Sequence, residues 1–320
     1  MKILVTSIGA YAADIVIKTL RAGGHEVTGI DILPKAWLPV AYNTDRYIRA
    51  PRYTDRDEYK NFITRACAEH GLDCIMPLTD PELDIMGEMK EALAAAGVCA
   101  CVSDLAVTRL CRDKHRLTGY LARENICPVI PSILLDEAAE AQLDFPLVAK
   151  PRFGRSSQGV IKVSSLAELE YVKETARETD YILLPYIEGS IISVDAVRSP
   201  DNKTVCVARR ELQRNLNGAG TTVEIIENPL LNGICEKTAD MLGIIGTAIF
   251  EFIETPEQLY LMEINPRFPG GVEFSHMAGY DVVTNHLRCF TGEAIETKVN
   301  IRKMIIARKY EAHITEISEE

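Results

Sequence analysis

The chain has 320 residues, of which 25% are charged and 47% apolar, the composition of an ordinary globular protein long enough for about two domains. Its formal charge of −11 argues against a nucleic-acid-binding surface, and no apolar run approaches the ~20 residues of a membrane span. Met1–Val5 runs straight into a strand pattern without a leader-like segment, so the expectation is a cytoplasmic protein.

The first hundred residues alternate strand and helix signals. Ile3–Thr6 is β-branched, residues 11–22 carry apolar positions at helical spacing up to Gly23-Gly24, and Glu26–Ile30 reads as a second strand. A helix over 57–70, a buried strand over 74–78 and a helix over 82–96 follow, which predicts a parallel sheet covered by helices on both faces. From about Asp104 the texture changes. One helix carrying Asp113, Lys114 and Leu117 runs to about Asn125. Short strands come next at 147–150, 159–163, 181–184, 191–197 and 205–210, interrupted by a helix at 165–178. A helix over 230–242 precedes two strands near 246–253 and 259–265, so this part reads as α+β with mainly antiparallel sheets.

Nine cysteines are scattered along the chain, with only Cys99 and Cys101 close together. Neither a Cys-x-x-Cys pair nor a histidine at zinc-ligand spacing accompanies them, which reads as free thiols in a reducing compartment. Ser7-Ile8-Gly9-Ala10-Tyr11-Ala12 sits where dinucleotide-binding folds place G-x-G-x-x-G, with Asp31 at the end of the next strand. Ser7 and Ala12 replace two of the three glycines, so a tight strand-to-helix turn is favoured over a NAD site.

The strongest chemical signal is near the carboxyl end. Ala248–Phe252 and Leu261–Arg267 flank the turn residues Thr255-Pro256-Glu257, and a hairpin centred near residue 257 sets Glu251 opposite Glu263. Asn265 joins them by the two-residue period. Two carboxylates and an amide on a strand face rich in Ile and Leu require a cation, and hard oxygen ligands suit Mg²⁺ held with phosphates. The plain alternative is a solvated sheet edge. Arg267 follows, placed to steady charge on a transferring phosphoryl group. Lys150 closes an apolar strand, and Gly154–Val160 is a Gly/Ser loop able to lay N–H groups over phosphates, though it equally suits a plain turn. Lys114 is a second phosphate candidate, with an exposed helix lysine as the alternative.

Together these pieces resemble the ATP-grasp superfamily, in particular stand-alone proteins similar to the carbamoyl-phosphate synthase large subunit. The resemblance implies a Rossmann-like pre-ATP-grasp α/β domain over 1–105 and a two-lobed ATP-grasp domain over 106–300. The small lid lobe would cover about 128–185 and the metal-binding lobe about 186–300, leaving 301–320 as a strand and tail. It assigns Lys114 and Lys150 to the nucleotide phosphates and Gly154, Ser156, Ser157 and Gly159 to the lid. The hinge that meets adenine and ribose would be Pro185, Tyr186, Ile187 and Glu188. Glu251, Glu263 and Asn265 become the metal ligands, and Lys150, Arg210 and Arg267 the residues acting on the reacting groups, with Arg210 clamping an acceptor carboxylate.

Three features depart from the family pattern. Leu184-Pro185 replaces the usual polar hinge opening, so adenine contacts rest on backbone groups. Ile191 stands where a ribose-binding acid is common, leaving Glu188 to substitute or the nucleotide affinity lower, and Ser156 replaces a lid glycine. The implied activity is an ATP- and Mg²⁺-dependent ligation, Mn²⁺ being an alternative ion, that joins a small-molecule carboxylate to an amine through an acyl phosphate. Neither nucleic acid nor membrane is an expected partner, and a homodimer is left open. A nucleotide-binding regulatory subunit and a NAD-dependent dehydrogenase or epimerase are the alternatives. Glu82, after Thr79-Asp80-Pro81, is a candidate to border the same cleft.

Overall fold

A computed structural model describes residues 1–138, 143–154, 157–176 and 180–317. The amino-terminal part contains β1 (Lys2–Val5), α1 (Ala13–Ala22), β2 (Glu26–Asp31), β3 (Arg46–Arg49), α2 (Arg56–His70), β4 (Cys74–Met76), α3 (Asp80–Ala95) and β5 (Cys99–Ala100). Its five strands are parallel in the order β3-β2-β1-β4-β5. The order reverses between β1 and β4, where a doubly wound sheet opens its crevice. The short strands β3 and β5 have too few apolar residues to register as runs in the sequence.

The helix expected up to Asn125 is two helices, α4 (Leu105–Arg112) and α5 (Lys114–Glu124), broken at Asp113. Asp113 has extended backbone angles and its carboxylate accepts the Arg116 N–H, capping α5 and placing Lys114 in its first turn. Beyond it lie β6 (Ile133–Leu134), β7 (Leu147–Pro151), β8 (Ile161–Val163), α6 (Leu166–Thr175) and β9 (Tyr181–Pro185). The four strands form an antiparallel sheet in the order β6-β9-β7-β8.

The third layer comprises β10 (Ser190–Arg198), β11 (Thr204–Arg214), β12 (Gly220–Ile226), α7 (Pro229–Leu242), β13 (Gly246–Glu254), β14 (Leu259–Asn265), α8 (Val272–Ala278), α9 (Val282–Thr291) and β15 (Ile305–Ala307). Its strands run β14-β13-β10-β11-β12-β15, all antiparallel. One apolar cluster joins Ile3, Val5 and Met76 of the parallel sheet to Phe268, Phe274, Tyr280 and Val283, so the first and third layers share a core. A smaller cluster of Ile130, Ile182, Leu184 and Ile253 seats the four-stranded sheet against β13. Gly189 makes that crossing possible, because a Cβ there would lie 2.5 Å from the Glu254 carbonyl oxygen. Among the described residues no helix is long and apolar enough to cross a membrane.

Candidate active site

The hairpin of β13 and β14 places two acids side by side. Near the turn, Glu254 pairs with Leu259 and Phe252 with Leu261; one bulge at Met262 then shifts the register so that Glu251 pairs with Glu263. Without that extra residue, Glu263 would sit opposite Phe250 and face the other side. A hairpin centred at residue 257 would pair the same two acids, but the molecule pairs them through an irregularity. Asn265 pairs with Ile249 on the same face, and its amide donates to Glu263 Oε1 at 3.0 Å. The Glu251 carboxyl is pushed up from the ordinary carboxylate range, first by burial and then by the Glu263 charge. Opposed, desolvated carboxylates with an amide beside them form an oxygen donor set that fits a small hard cation.

Two lysines from separate elements, α5 and β7, converge on this pair. Lys114 is buried, donates to the Gly154 carbonyl at 2.6 Å, and lies 3.6 Å from Glu263 Oε1. The alternative of an exposed helix lysine is thereby removed. Lys150, on β7, is also buried, and burial holds its ammonium below the usual lysine range. Glu263 and Glu251 favour its charge while Lys114 opposes it, which places all four groups in one electrostatic neighbourhood.

Arg267 follows Asn265 and turns toward the parallel sheet. Its Nε donates to Asp80 Oδ1 at 2.7 Å and its Nη1 to the Phe268 carbonyl at 3.1 Å. Burial opposes its charge, but Asp80 in contact, together with Glu263 and Glu251, outweighs burial and holds the guanidinium above its usual range. Glu82, the acid singled out from the sequence, is buried instead within the first layer, where Tyr59 and Thr79 hydroxyls each donate to it at 2.6 Å. Asp80, two residues earlier, is the acid that meets the site.

Arg210 requires a correction. Ser193 of β10 pairs with both Glu251 and Arg209, so Arg209 shares the acidic face and Arg210 points away. Arg210 donates to Glu224 at 3.0 Å and Glu254 at 2.7 Å on the opposite face and cannot clamp a group beside Glu251. Arg209 is itself fully engaged: it donates to Asp195 at 2.6 Å and Glu211 at 3.2 Å, and Ser275 donates to the other Asp195 oxygen. The arginine of β11 that reaches the acids is Arg214, 3.7 Å from Glu251 Oε2 and tied to the Gly218 carbonyl at 2.6 Å. Register shifts between Glu211 and Arg214 set its direction, which regular alternation could not reveal. Glu211 is a further residue of the site that no sequence motif marks. Its Oε2 is buried with no hydrogen-bond partner among the described residues, and its charge raises Glu251 further.

The lid and hinge expectations fall around this centre. Ser156 lies outside the described residues. Ser157 stands against Gly218, where a Cβ would meet its Oγ at 2.4 Å, so the lid loop touches the turn between β11 and β12. Gly159 has φ +71° and packs on Tyr181, whose hydroxyl would be 2.6 Å from a Cβ. Tyr186 is 38% exposed, with Lys162 Nζ 3.8 Å above its ring and its N–H on the Pro146 carbonyl. Pro185 and Glu188 are exposed and Ile187 is half-buried, so the segment lies along an open rim. At the amino-terminal turn, Asp31 accepts the Gly9 N–H at 2.8 Å and the Leu33 N–H at 3.1 Å. The acid that a NAD ribose would need therefore closes its own loop.

Two parts of the chain match known protein families. The family described as "ATP-grasp in the biosynthetic pathway with Ter operon" matches residues 177–313, and the PylC-like N-terminal domain matches residues 3–101. The carboxyl-terminal part of the chain thus matches an ATP-grasp family, and a PylC-like N-terminal domain is matched ahead of it. Its relatives include the carbamoyl phosphate synthase large chain of Clostridium perfringens, 26% identical over 204 residues that cover 58% of this chain and 19% of that one. The D-alanine–D-alanine ligase of Francisella tularensis subsp. novicida is 29% identical over 204 residues, 59% of this chain and 65% of the ligase. The chain thus spans about a fifth of the synthase and just under two thirds of the ligase. The biotin carboxylase domain of Hydrogenobacter thermophilus 2-oxoglutarate carboxylase, solved as a dimer with MgADP and bicarbonate, superposes with a TM-score of 0.80 at 19% identity. It covers 96% of this chain and 74% of that one, a likeness of fold.

Proposed function

We propose that the protein is an ATP-dependent carboxylate–amine ligase. The observation that carries this reading is the convergence of Lys114 and Lys150 on the register-paired Glu251 and Glu263. Residues 1–105 would serve as the pre-ATP-grasp domain, 128–185 as the lid lobe and 186–300 as the metal lobe. Glu251, Glu263 and Asn265 would hold Mg²⁺ (or Mn²⁺), which supplies charge neutralisation for the ATP phosphates when bound.

The residues of the chain account for the rest. Lys150 and Lys114 would neutralise the non-bridging phosphate oxygens, and both are desolvated, which strengthens that interaction. A substrate carboxylate oxygen attacks the γ-phosphorus, the bond to the β–γ bridging oxygen breaks, and ADP leaves. Arg267, fixed by Asp80, and Arg214, reaching in from β11, are the guanidinium groups available to the transferring phosphoryl group and to the acceptor carboxylate. The amine then attacks the acyl carbon of the acyl phosphate, phosphate departs, and the nitrogen loses a proton. Ser157, lying against the Gly218 turn, would help to keep water from the acyl phosphate. Pro185, Tyr186, Ile187 and Glu188 would border adenine and ribose, with the backbone supplying the base contacts. A homodimer and a cytoplasmic location belong to the same reading, and light scattering tests the first.

An ADP-release screen of amino acids and other carboxylic acids with assorted amines, read by product mass, tests the proposal. An amide product with stoichiometric ADP supports it. Nucleotide binding without turnover across a broad panel would assign the chain to a regulatory subunit instead.

A further inference from the structure

Strand register gathers three thiols at a place remote in sequence from the acidic hairpin. Cys74 of β4 pairs directly with Cys99 of β5, and Cys101 lies two residues further on, so all three side chains leave the same face. Their Sγ atoms lie within 4.8 Å of one another. Cys74 and Cys101 are buried and Cys99 is half-buried, which gives the group one entrance. Helix α9 covers it, with Cys99 Sγ 3.7 Å from the Phe290 carbonyl oxygen. The nearby His286 ring is already engaged: Nδ1 accepts the Thr247 N–H at 2.9 Å, and the ring also bonds the Cys101 backbone. The available donor set is therefore three sulfurs.

We propose that Cys74, Cys99 and Cys101 form a three-thiolate site for one soft d¹⁰ cation of the copper(I) class. Metal–sulfur bonds of roughly 2.3 Å around a trigonal ion require sulfurs about 4 Å apart, within the separation that the fold already imposes. Soft thiolates select such an ion over hard cations, which would find no carboxylate in the group. Binding forms three S–metal bonds and releases the thiol protons to solvent. A disulfide would join only two of the three and leave the other without a role.

The test is an anaerobic titration of the reduced full-length chain with copper(I) held by bathocuproinedisulfonate, followed by loss of the coloured probe complex. The expected result is transfer of one copper(I) per chain, lost in Cys99→Ser and in Cys101→Ser and unchanged in Cys206→Ser, a half-buried thiol on β11. Absence of transfer to the wild type, or transfer retained by a folded Cys99→Ser protein, would overturn the site. So would protein isolated without reductant that shows two fewer thiols than the nine present and takes up no copper. Should Cys101→Ser fail to fold, Cys99→Ser at the half-buried position and the wild-type stoichiometry still decide.

Discussion

Arg267 Nε donates to Asp80 Oδ1 at 2.7 Å across 187 positions of sequence, tying the last strand of the acidic hairpin to the first turn of α3. An arginine placed beside reacting groups must hold its geometry, and here its partner comes from the parallel-sheet layer. Asp80→Asn is expected to lower kcat more than it raises the ATP KM, by about tenfold or more, through loss of orientation. Asp80→Ala should also cost about 3 kcal/mol, because a mostly buried guanidinium is left without its counterion. Steady-state kinetics and urea unfolding check both. Unchanged kcat in a folded Asp80→Asn protein would release Arg267 from the proposed role.

Glu251 and Glu263 repel each other in a desolvated place, so the hairpin without a cation carries a stability cost. Glu251→Gln is expected to raise the melting temperature of the metal-free protein by a few degrees while abolishing turnover. Adding Mg²⁺ should then raise the melting temperature of the wild type and leave the variant unmoved. Scanning calorimetry with EDTA and with Mg²⁺ reads both effects.

Arg210 and Arg214 offer a discriminating pair. Arg214→Ala should raise the KM of the acceptor or lower kcat at least tenfold, since its guanidinium faces the acids. Arg210→Ala removes two half-exposed ion pairs on the other face and should cost under about 1 kcal/mol with kinetics unchanged. The reverse pattern would restore the assignment made from the sequence.

Asp113 caps α5 and takes a bidentate grip from Arg152, at 2.7 and 2.6 Å. Burial alone would raise its pKa; the Arg152 pair and the Arg116 N–H overcome that and hold it below the ordinary aspartate value. A lowered folded-state pKa gives stability that is complete above about pH 4, the unfolded value, and is lost as pH falls through the folded value. Asp113→Asn should therefore cost about 2 kcal/mol at neutral pH, with the gap to wild type closing below about pH 4. Chemical unfolding at several pH values measures this. The ATP KM should rise as well, because the Lys114 N–H bonds the Arg152 carbonyl at 3.2 Å and the two residues move together.

The elements legible in the sequence were those with strong periodicity or turn chemistry. β1, β2 and β4 declare themselves as apolar runs, and the β13–β14 hairpin by its strand pattern around Thr255-Pro256. Features set by irregularity or by tertiary pairing were hidden. A bulge at Met262 orients Glu263, shifts between Glu211 and Arg214 aim Arg214, and the pairing of Ser193 with both Glu251 and Arg209 turns Arg210 away. Asp80 was overlooked beside Glu82 because both acids start the same helix, and only packing against the third layer separates them. The Cys74–Cys99 neighbourhood likewise exists only through parallel pairing of strands far apart in the chain.

The sharpest check on the proposed nucleotide site is calorimetric binding of a non-hydrolysable ATP analogue with Mg²⁺ and again with EDTA. Binding is expected to depend on Mg²⁺ in the wild type, to lose that dependence in Glu263→Gln, and to weaken at least tenfold in Lys150→Met. Equal affinity with and without Mg²⁺, or full Mg²⁺-dependent affinity in Glu263→Gln, would contradict it.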